Sequence, residues 1–230
     1  MKASAIIVAA GCGTRLGFDL PKAFVELRGH SLLSYSLRTI AAVAAIEEAV
    51  ITVPPRMESR VRAEVRAANL EIPVKLTPGG AERQDSVRIA LGLTSADAEL
   101  VIVHDAARPF ATPAMFEAAL AAAERVGGAI AAIALADTLK RVGEHRTILA
   151  TVARAALWQA QTPQAFRRKL LVRAHERAVN DRIVATDDAD LVEQLGARVE
   201  VVDGSALNFK ITTAEDLRLA ELAAASTLKR

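Results

Sequence analysis

The sequence has little cysteine, no long apolar run and almost no excess of either charge. A single cysteine, Cys12, among 230 residues excludes an intrachain disulfide and a cysteine-rich metal site. No stretch approaches the apolar length of a membrane span, and the run at residues 6–10 is too short for a signal-peptide core. The net charge is only +2, and the basic residues are scattered. We therefore expect a cytoplasmic protein that binds neither nucleic acid nor a membrane.

Short apolar runs alternate with amphipathic stretches along most of the chain. Such alternation favours a mostly parallel α/β sheet of Rossmann-like type, with helices on both faces. The length fits a single domain over residues 1–230. Predicted strands cover residues 5–10, 49–53, 74–76, 100–103, 129–135 and 199–202. Predicted helices cover residues 31–44, 58–69, 83–93, 113–126, 167–179, 188–195 and 214–224, the last with Thr213 as its N-cap.

Residues 137–161 interrupt this alternation. Residues 140–145 have the composition of a polar hairpin tip, and short segments at 138–139 and 147–152 flank it. A polar hairpin that leaves an α/β sheet is often an arm that packs on a second subunit. We therefore predict a dimerisation and substrate arm at about residues 137–160.

The strongest local signal is a glycine-rich loop directly after the first predicted strand, containing Gly11 and Gly13. It lacks the Gly-Lys-Ser/Thr ending of a P-loop, and its glycine spacing does not match the dinucleotide fingerprint. It does deliver two cations, Arg15 and Lys22, which suits a nucleoside triphosphate whose α-phosphorus is attacked. Taken singly, each cation is better explained as a solvated surface charge. Within the glycine frame we favour the functional interpretation, with Cys12 as a loop residue and not a nucleophile.

Other polar groups follow later strands. Gly79, Gly80 and Ser86 form a turn and a helix start suited to a base edge, although a plain turn with an acidic helix N-terminus explains them better in isolation. Asp105 follows a buried strand, where a carboxylate binds Mg²⁺ or a ribose hydroxyl; the alternative is an ion pair between Asp105 and Arg108 that supports a turn. His104 and His175 carry no pattern of their own, and no His/Asp/Glu spacing predicts a zinc site.

Together these segments resemble the 2-C-methyl-D-erythritol 4-phosphate cytidylyltransferases of the non-mevalonate isoprenoid pathway. The resemblance runs from Ile6 to about Leu217 and rests on seven motifs in the same order. They are Ala-Ala-Gly-x-Gly-x-Arg, Pro-Lys-x-Phe, Gly-Gly-x-Glu-Arg-x-x-Ser-Val, His-Asp-Ala-Ala-Arg-Pro, Asp-Thr-Leu-Lys, Thr-Pro-Gln-x-Phe and Thr-Asp-Asp-Ala.

The resemblance implies a Rossmann-like nucleotidyltransferase fold and a homodimer interlocked by the arm. It implies that Arg15 and Lys22 are catalytic and that Asp105 meets the ribose or a divalent cation such as Mg²⁺. The implied nucleotide-binding residues are Ala9, Ala10, Gly11, Cys12, Gly13, Gly80, Ala81, Arg83, Ser86, Asp105 and Ala106. The implied substrate-binding residues are Thr138, Arg154, Lys210, Arg108, Thr162 and Thr186, with those of the arm crossing to the partner's site.

The expected activity is transfer of CMP from CTP to 2-C-methyl-D-erythritol 4-phosphate. Two alternatives stay open. A ribitol 5-phosphate cytidylyltransferase shares the loop and much of the motif order, so the sequence separates the two acceptors only weakly. A non-catalytic nucleotide-binding module is the alternative from another class, and the joint presence of Arg15, Lys22, Asp105 and Lys210 argues against it, since a mere binder needs no transition-state cations.

Overall fold

The computed structural model describes residues 1–11, 13 and 20–227. Within these residues seven strands form one central sheet, in which a single strand, β10 (Trp158–Arg167), runs antiparallel to both of its neighbours. The prediction of a mostly parallel α/β sheet is therefore confirmed. From one edge to the other, the strands are β11 (Val199–Asp203), β7 (Gly128–Ala134), β10 (Trp158–Arg167), β6 (Leu100–Asp105), β1 (Ala3–Val8), β4 (Ile46–Val53) and β5 (Val74–Pro78).

The central strands are buried on both faces, which explains why they read as nearly continuous apolar runs. Along β1, Ala5 and Ile7 belong to one apolar core, whereas Ile6 belongs to a second core on the opposite face. Helices cover both faces, as predicted. The helices of the described chain are α1 (Leu32–Ala41), α2 (Glu58–Ala67), α3 (Arg83–Leu91), α4 (Pro113–Val126), α5 (Arg168–Asp181), α6 (Asp188–Glu193) and α7 (Ala214–Thr227).

Side chains that accept hydrogen bonds from the first turn fix where several helices begin. The Ser31 hydroxyl accepts from the Ser34 amide at 3.1 Å at the start of α1. The Thr213 hydroxyl accepts from the Asp216 amide at 3.2 Å, so Thr213 caps α7 as the sequence predicted. Each such cap contributes about 1 kcal/mol to stability.

Strand β10 was not predicted from the sequence. Its polar residues Gln159, Gln161 and Gln164 interrupt the apolar pattern that is typical of a central strand. Pro163 also lacks the backbone N–H that such a strand uses for pairing. The structure accommodates Pro163 in a bulge, because pairing with β7 is interrupted between Ala160 and Gln164. The tertiary contacts of its two neighbours, and not its own pattern, make this segment a strand.

The predicted arm contains an antiparallel hairpin of β8 (Leu139–Val142) and β9 (Ile148–Val152), separate from the central sheet. Residues 158–160, which we had included in the arm, belong to β10, where Trp158 pairs with Ala134. A second small hairpin, β2 (Glu26–Leu27) and β3 (His30–Ser31), precedes α1. Across the described residues, no helix is both long enough and apolar enough to span a membrane.

Candidate active site

A cleft of about 330 Å³ opens at the carboxyl ends of β1 and β6, beside the N-terminus of α3. This is the edge at which parallel α/β sheets place their ligands. Mostly polar and small residues from five separate segments of the described chain surround it. They are Val8, Ala9, Ala10, Gly11, Gly13, Lys22, Ala23, Gly80, Ala81, Glu82, Arg83, Ser86, Asp105, Ala106, Ala107, Lys210 and Thr212.

The first wall is the loop after β1. The Ala9 amide donates to the Thr52 hydroxyl at 3.0 Å, which anchors the start of the loop to β4. Gly13 has a φ of +68°, and a Cβ atom at this position would lie 2.8 Å from the Cβ of Lys22. Position 13 therefore requires glycine for two reasons, its backbone conformation and the close approach of Lys22.

The second wall is the turn between β5 and α3. A Cβ on Gly79 would lie 2.2 Å from that of Ala10, so the two walls touch at this glycine. The Ser86 hydroxyl accepts from the Gly80 amide at 3.0 Å and donates to the Glu82 carbonyl at 3.1 Å. Because a hydroxyl has one donor and two acceptor sites, Ser86 keeps one acceptor site for a ligand.

The Asp105 carboxylate is paired with two cations in the cleft. Its Oδ1 accepts from Nε of Arg83 at 2.9 Å, and its Oδ2 accepts from Nζ of Lys210 at 2.6 Å. Burial by itself raises the pKa of the Asp105 carboxyl, but Arg83 and Lys210 lower that pKa far below its usual range. Asp105 is therefore a carboxylate at neutral pH, with both oxygens bound to cations.

The predicted alternative of an Asp105–Arg108 ion pair is wrong. Arg108 instead donates from Nη1 to the Asn208 carbonyl at 2.7 Å. The physical reason is that Arg83 and Lys210, from α3 and from the loop before α7, occupy both oxygens of Asp105. Burial lowers the pKa of Arg108, whose role in this structure is to hold the loop that carries Lys210.

Lys210 is held in place by a buried amide framework. Nδ2 of Asn208, which is fully buried, donates to Oε1 of Gln161 at 3.0 Å and to the Thr162 carbonyl at 2.9 Å. The Ile211 amide donates to the Ala107 carbonyl at 2.9 Å. These bonds tie the residues on either side of Lys210 to β10 and to the segment after β6, which fixes where its ammonium group lies.

Two histidines for which no role was predicted are buried beside residues that contact the cleft residues. His104 is fully buried, and its Nδ1 lies 3.0 Å from the hydroxyl of Thr162, which in turn accepts from the Asp105 amide. His175 is buried on α5, and its Nε2 lies 3.1 Å from Oδ1 of Asp188. A signal was available for His175, because Leu171, Ala174 and Ala178 mark the buried stripe of an amphipathic helix.

A family model described as 2-C-methyl-D-erythritol 4-phosphate cytidylyltransferase matches residues 3–225. The enzyme of that name from Pelotomaculum thermopropionicum is 40% identical over 221 residues, covering 96% of this chain and 93% of the relative. The one from Deinococcus radiodurans is 44% identical over 221 residues, covering 96% of this chain and 88% of the relative. The crystal structure of the Thermus thermophilus enzyme superposes with a TM-score of 0.80 and 35% identity, covering 98% of this chain and 100% of that one.

The chain belongs to this family. It is accordingly a nucleotidyltransferase, and the resemblance drawn from the seven motifs is confirmed. The fold is that of the solved cytidylyltransferase structures of the family, with the seven-stranded sheet at its centre.

The structure gathers most of the residues predicted for a cytidylyltransferase site into the one cleft. The predicted residues that line it are Ala9, Ala10, Gly11, Gly13, Lys22, Gly80, Ala81, Arg83, Ser86, Asp105, Ala106 and Lys210. Sequence reasoning missed Val8, Ala23, Glu82, Ala107 and Thr212, which line the same space. Arg15 and Cys12 lie outside the described residues. The individual roles assigned to all of these residues stay predictions.

The other predicted substrate contacts do not line this cleft in the described chain. Thr138, just before β8, and Arg154, just after β9, are exposed at the base of the arm hairpin. Thr186 is exposed before α6. Thr162 is buried behind Asp105, where its hydroxyl is bonded to the Asp105 amide and lies near His104. In this structure Thr162 therefore supports the turn that presents Asp105.

Proposed function

We propose that the chain transfers CMP from CTP to 2-C-methyl-D-erythritol 4-phosphate, giving 4-diphosphocytidyl-2-C-methyl-D-erythritol and pyrophosphate. The observation that carries this proposal is the convergence of Lys22, Arg83, Asp105 and Lys210 with two glycine turns in one cleft. Backbone turns of this kind approach phosphates and base edges closely, and fixed cations stabilise the charge that develops during phosphoryl transfer.

Recognition of cytosine follows from the hydroxyl of Ser86. Because that hydroxyl already donates to the Glu82 carbonyl, it is left to accept one further hydrogen bond. The exocyclic amine of cytosine is a donor, whereas the corresponding carbonyl oxygen of uracil is an acceptor. Ser86 therefore favours CTP over UTP at this position.

The chemical step needs no protein nucleophile. An oxygen of the acceptor's phosphate attacks the α-phosphorus of CTP in line, the bond from that phosphorus to the β-phosphate bridging oxygen breaks, and pyrophosphate leaves with that electron pair. The second pKa of a phosphate monoester is about 6, so the attacking oxygen is already anionic at neutral pH. Lys22, together with Arg15, neutralises charge on the α-phosphoryl oxygens and the leaving pyrophosphate.

Lys210 holds the acceptor's phosphate in this proposal. Its side chain is 37% exposed and extends from the buried amide framework to Asp105 at the cleft. A cation beside a fixed carboxylate stays in position without a substrate, so binding the phosphate requires little rearrangement.

The residues fit a Mg²⁺ ion that enters with the triphosphate. Asp105 supplies one buried carboxylate to the cleft, and each of its oxygens accepts one hydrogen bond, from Arg83 or Lys210, and keeps a second lone pair for a metal. Within the described residues, no group of three or more His, Cys, Asp or Glu side chains is arranged to hold a metal. Mg²⁺ is commonly held by one or two carboxylates together with substrate phosphates and waters. Bound there by Asp105, it would neutralise charge on the triphosphate.

We further propose a homodimer formed through the arm. Apolar side chains are exposed on the hairpin and at its base, including Val142, Ile148, Leu149 and Trp158. Exposed apolar side chains clustered on a projecting element are typical of a protein interface. Thr138 and Arg154 stand on the same element and would reach the acceptor in the partner's cleft.

Pyrophosphate release tests the function directly. The chain is assayed with CTP and Mg²⁺ against methylerythritol 4-phosphate and ribitol 5-phosphate in parallel, and UTP replaces CTP in a third reaction. We expect turnover with the first acceptor and CTP only. Preference for ribitol 5-phosphate would keep the chemistry and change the acceptor, whereas saturable CTP binding without turnover would favour a nucleotide-binding module.

A further inference from the structure

A continuous line of ionisable side chains runs from the cleft into the core of the protein. Lys210 contacts Asp105, Asp105 contacts Arg83, Arg83 contacts Asp188, and Asp188 contacts His175, with donor–acceptor distances of 2.6, 2.9, 2.8 and 3.1 Å. The side chains of Lys210 and Arg83 are 37% and 23% exposed, whereas those of Asp188 and His175 are 1% and 2% exposed. The line therefore begins at the cleft and ends between α5 and α6.

Arg83 is the link between the two halves of this line. Its guanidinium donates from Nε to Asp105 and from Nη1 to Asp188, so two carboxylates hold two edges of one planar group. A planar group held at two edges has little freedom to rotate. The orientation of the Asp105 carboxylate, and with it the oxygen that faces Lys210, therefore depends on Asp188.

Asp188 in turn depends on His175. A carboxylate with almost no contact with water is stable only when its oxygens are bonded, and the two oxygens of Asp188 are bonded to Arg83 and to His175. Burial by itself raises the pKa of Asp188, but Arg83 and His175 bring that pKa below its usual value. Neither Asp188 nor His175 lines the cleft described above.

We propose that Asp188 and His175 are positioning residues of the nucleotidyltransferase site, acting through Arg83 on Asp105 and Lys210. The proposal rests on the proposed function for its activity readout. It predicts that a change at Asp188 alters the chemical step although this residue touches neither substrate. The competing explanation is a buried ion pair that contributes only to folding stability.

The chain offers a matched control for that explanation. Glu48 is a second carboxylate with little exposure to solvent. It accepts hydrogen bonds from Nζ of Lys75 at 3.0 Å, from the Ser4 hydroxyl at 2.5 Å and from the Ser95 amide. It pairs in register with Ser4 near the start of β1, whereas the cleft lies at the end of that strand. Loss of the Glu48 charge therefore disturbs a carboxylate–cation pair away from the site.

The experiment compares Asp188→Asn, His175→Asn and Glu48→Gln with the parent. Thermal unfolding, the affinity for CTP with Mg²⁺, kcat and both KM values are measured for each. We expect Asp188→Asn to lower kcat by about tenfold or more, since small misplacements of reacting groups have effects of that size. His175→Asn should lower kcat less, and Glu48→Gln should lower the melting temperature and leave kcat unchanged.

Parent-like kcat and CTP affinity in both Asp188→Asn and His175→Asn, with lower melting temperatures only, would overturn the proposal. If Asp188→Asn does not fold, His175→Asn decides the question alone. If the parent turns over neither acceptor, the proposed function fails while CTP affinity still tests the positioning. A double-mutant cycle with Lys210→Ala adds a second criterion. If the increases in activation free energy, calculated from kcat, are less than additive in the double variant, they support action through Lys210. Strictly additive increases contradict it.

Discussion

At the scale of single residues, the cleft is a balance of charges held at fixed positions. Asp105 lies between Arg83 and Lys210, while Lys22 stands on the opposite wall beside Gly13. In the proposed reaction the carboxylate keeps two cations in place before substrate arrives, so that little reorganisation is needed as charge develops on the phosphoryl group. We propose that Lys22 contributes to that stabilisation from the loop after β1.

Replacement of Lys22 by alanine tests this charge balance. We expect turnover to fall by roughly 10²–10³-fold, the effect of removing one transition-state donor, with little change in the melting temperature. Arg15→Ala should behave similarly. Steady-state kinetics at saturating CTP provide the measurement, and activity within a few-fold of the parent in both variants would contradict the assigned catalytic role.

His104 predicts a pH dependence of stability that is separate from that of the carboxylates. Burial lowers the pKa of His104 to about 4, from 6.5 in the unfolded chain. A depressed histidine pKa stabilises the fold above pH 6.5, and that contribution is lost as the pH falls towards 4, because the unfolded chain takes up the proton first. The loss is on the order of 3 kcal/mol at most.

Urea unfolding between pH 7 and pH 4.5 measures this loss. The variant His104→Asn keeps a polar atom near Thr162 and removes the titrating ring, so its stability should fall less over this range than that of the parent. Asp105 and Asp188 have pKa values below 3.8 and contribute at lower pH. Equal slopes for parent and variant would show that His104 does not carry the effect.

At the scale of elements, the turn between β5 and α3 is the most tightly packed part of the cleft wall. The Gly80 amide bonds to Ser86 inside the first turn of α3, and the Gly79 amide donates to the Val53 carbonyl at the end of β4. The turn thereby joins the sheet edge to the helix that carries Arg83. Its shape sets the position of that arginine and, in the proposed function, the edge that meets the base.

Gly80→Ala tests the packing of this turn. The added Cβ would lie 2.3 Å from the Cβ of Asp85 and 3.0 Å from its carbonyl carbon, so the backbone must shift. We expect a loss of about 1–3 kcal/mol in stability, with weaker CTP binding. The control is Gly92→Ala at the other end of α3, where the nearest atom is 3.5 Å away. Thermal unfolding and CTP titration compare the two, and equal behaviour would refute the packing argument.

At the scale of the whole molecule, the arm and the cleft of one chain are separate. Thr138 and Arg154 are exposed on the hairpin, whereas Lys22 and Lys210 line the cleft. Strand β10 links the two regions, because it begins at the base of the arm and leads to Thr162 behind Asp105. A site completed by the partner's arm follows from this arrangement if the chain is a homodimer.

Mixing two inactive variants tests that assembly. Lys22→Ala and Arg154→Ala should each be nearly inactive alone. After subunit exchange, one site of each heterodimer combines an intact cleft with an intact arm, so about a quarter of the parental activity should return. Matched mixtures of each variant with itself provide the control. No recovery, in mixtures shown to contain heterodimers, would place Arg154 in its own chain's site or outside any site.

Much of the candidate site was predicted from local features of the sequence. The glycine loop, Lys22 and the Gly79–Gly80 turn were recognisable because each signal lies within a few residues and has a direct backbone cause. Asp105 was recognised because it follows a buried strand. The ion pairs of Asp105 were not predicted, since its partners lie 22 and 105 residues away along the chain.

The sequence by itself therefore determined the alternation of strands and helices and the family, since each depends on local conformational preference or on motif order. Only the tertiary structure decided that polar residues 158–167 form a central strand, because that strand is specified by the backbone of its two neighbours. Only the tertiary structure joined Lys210, Asp105, Arg83, Asp188 and His175, because a buried charge selects its partner by proximity in space.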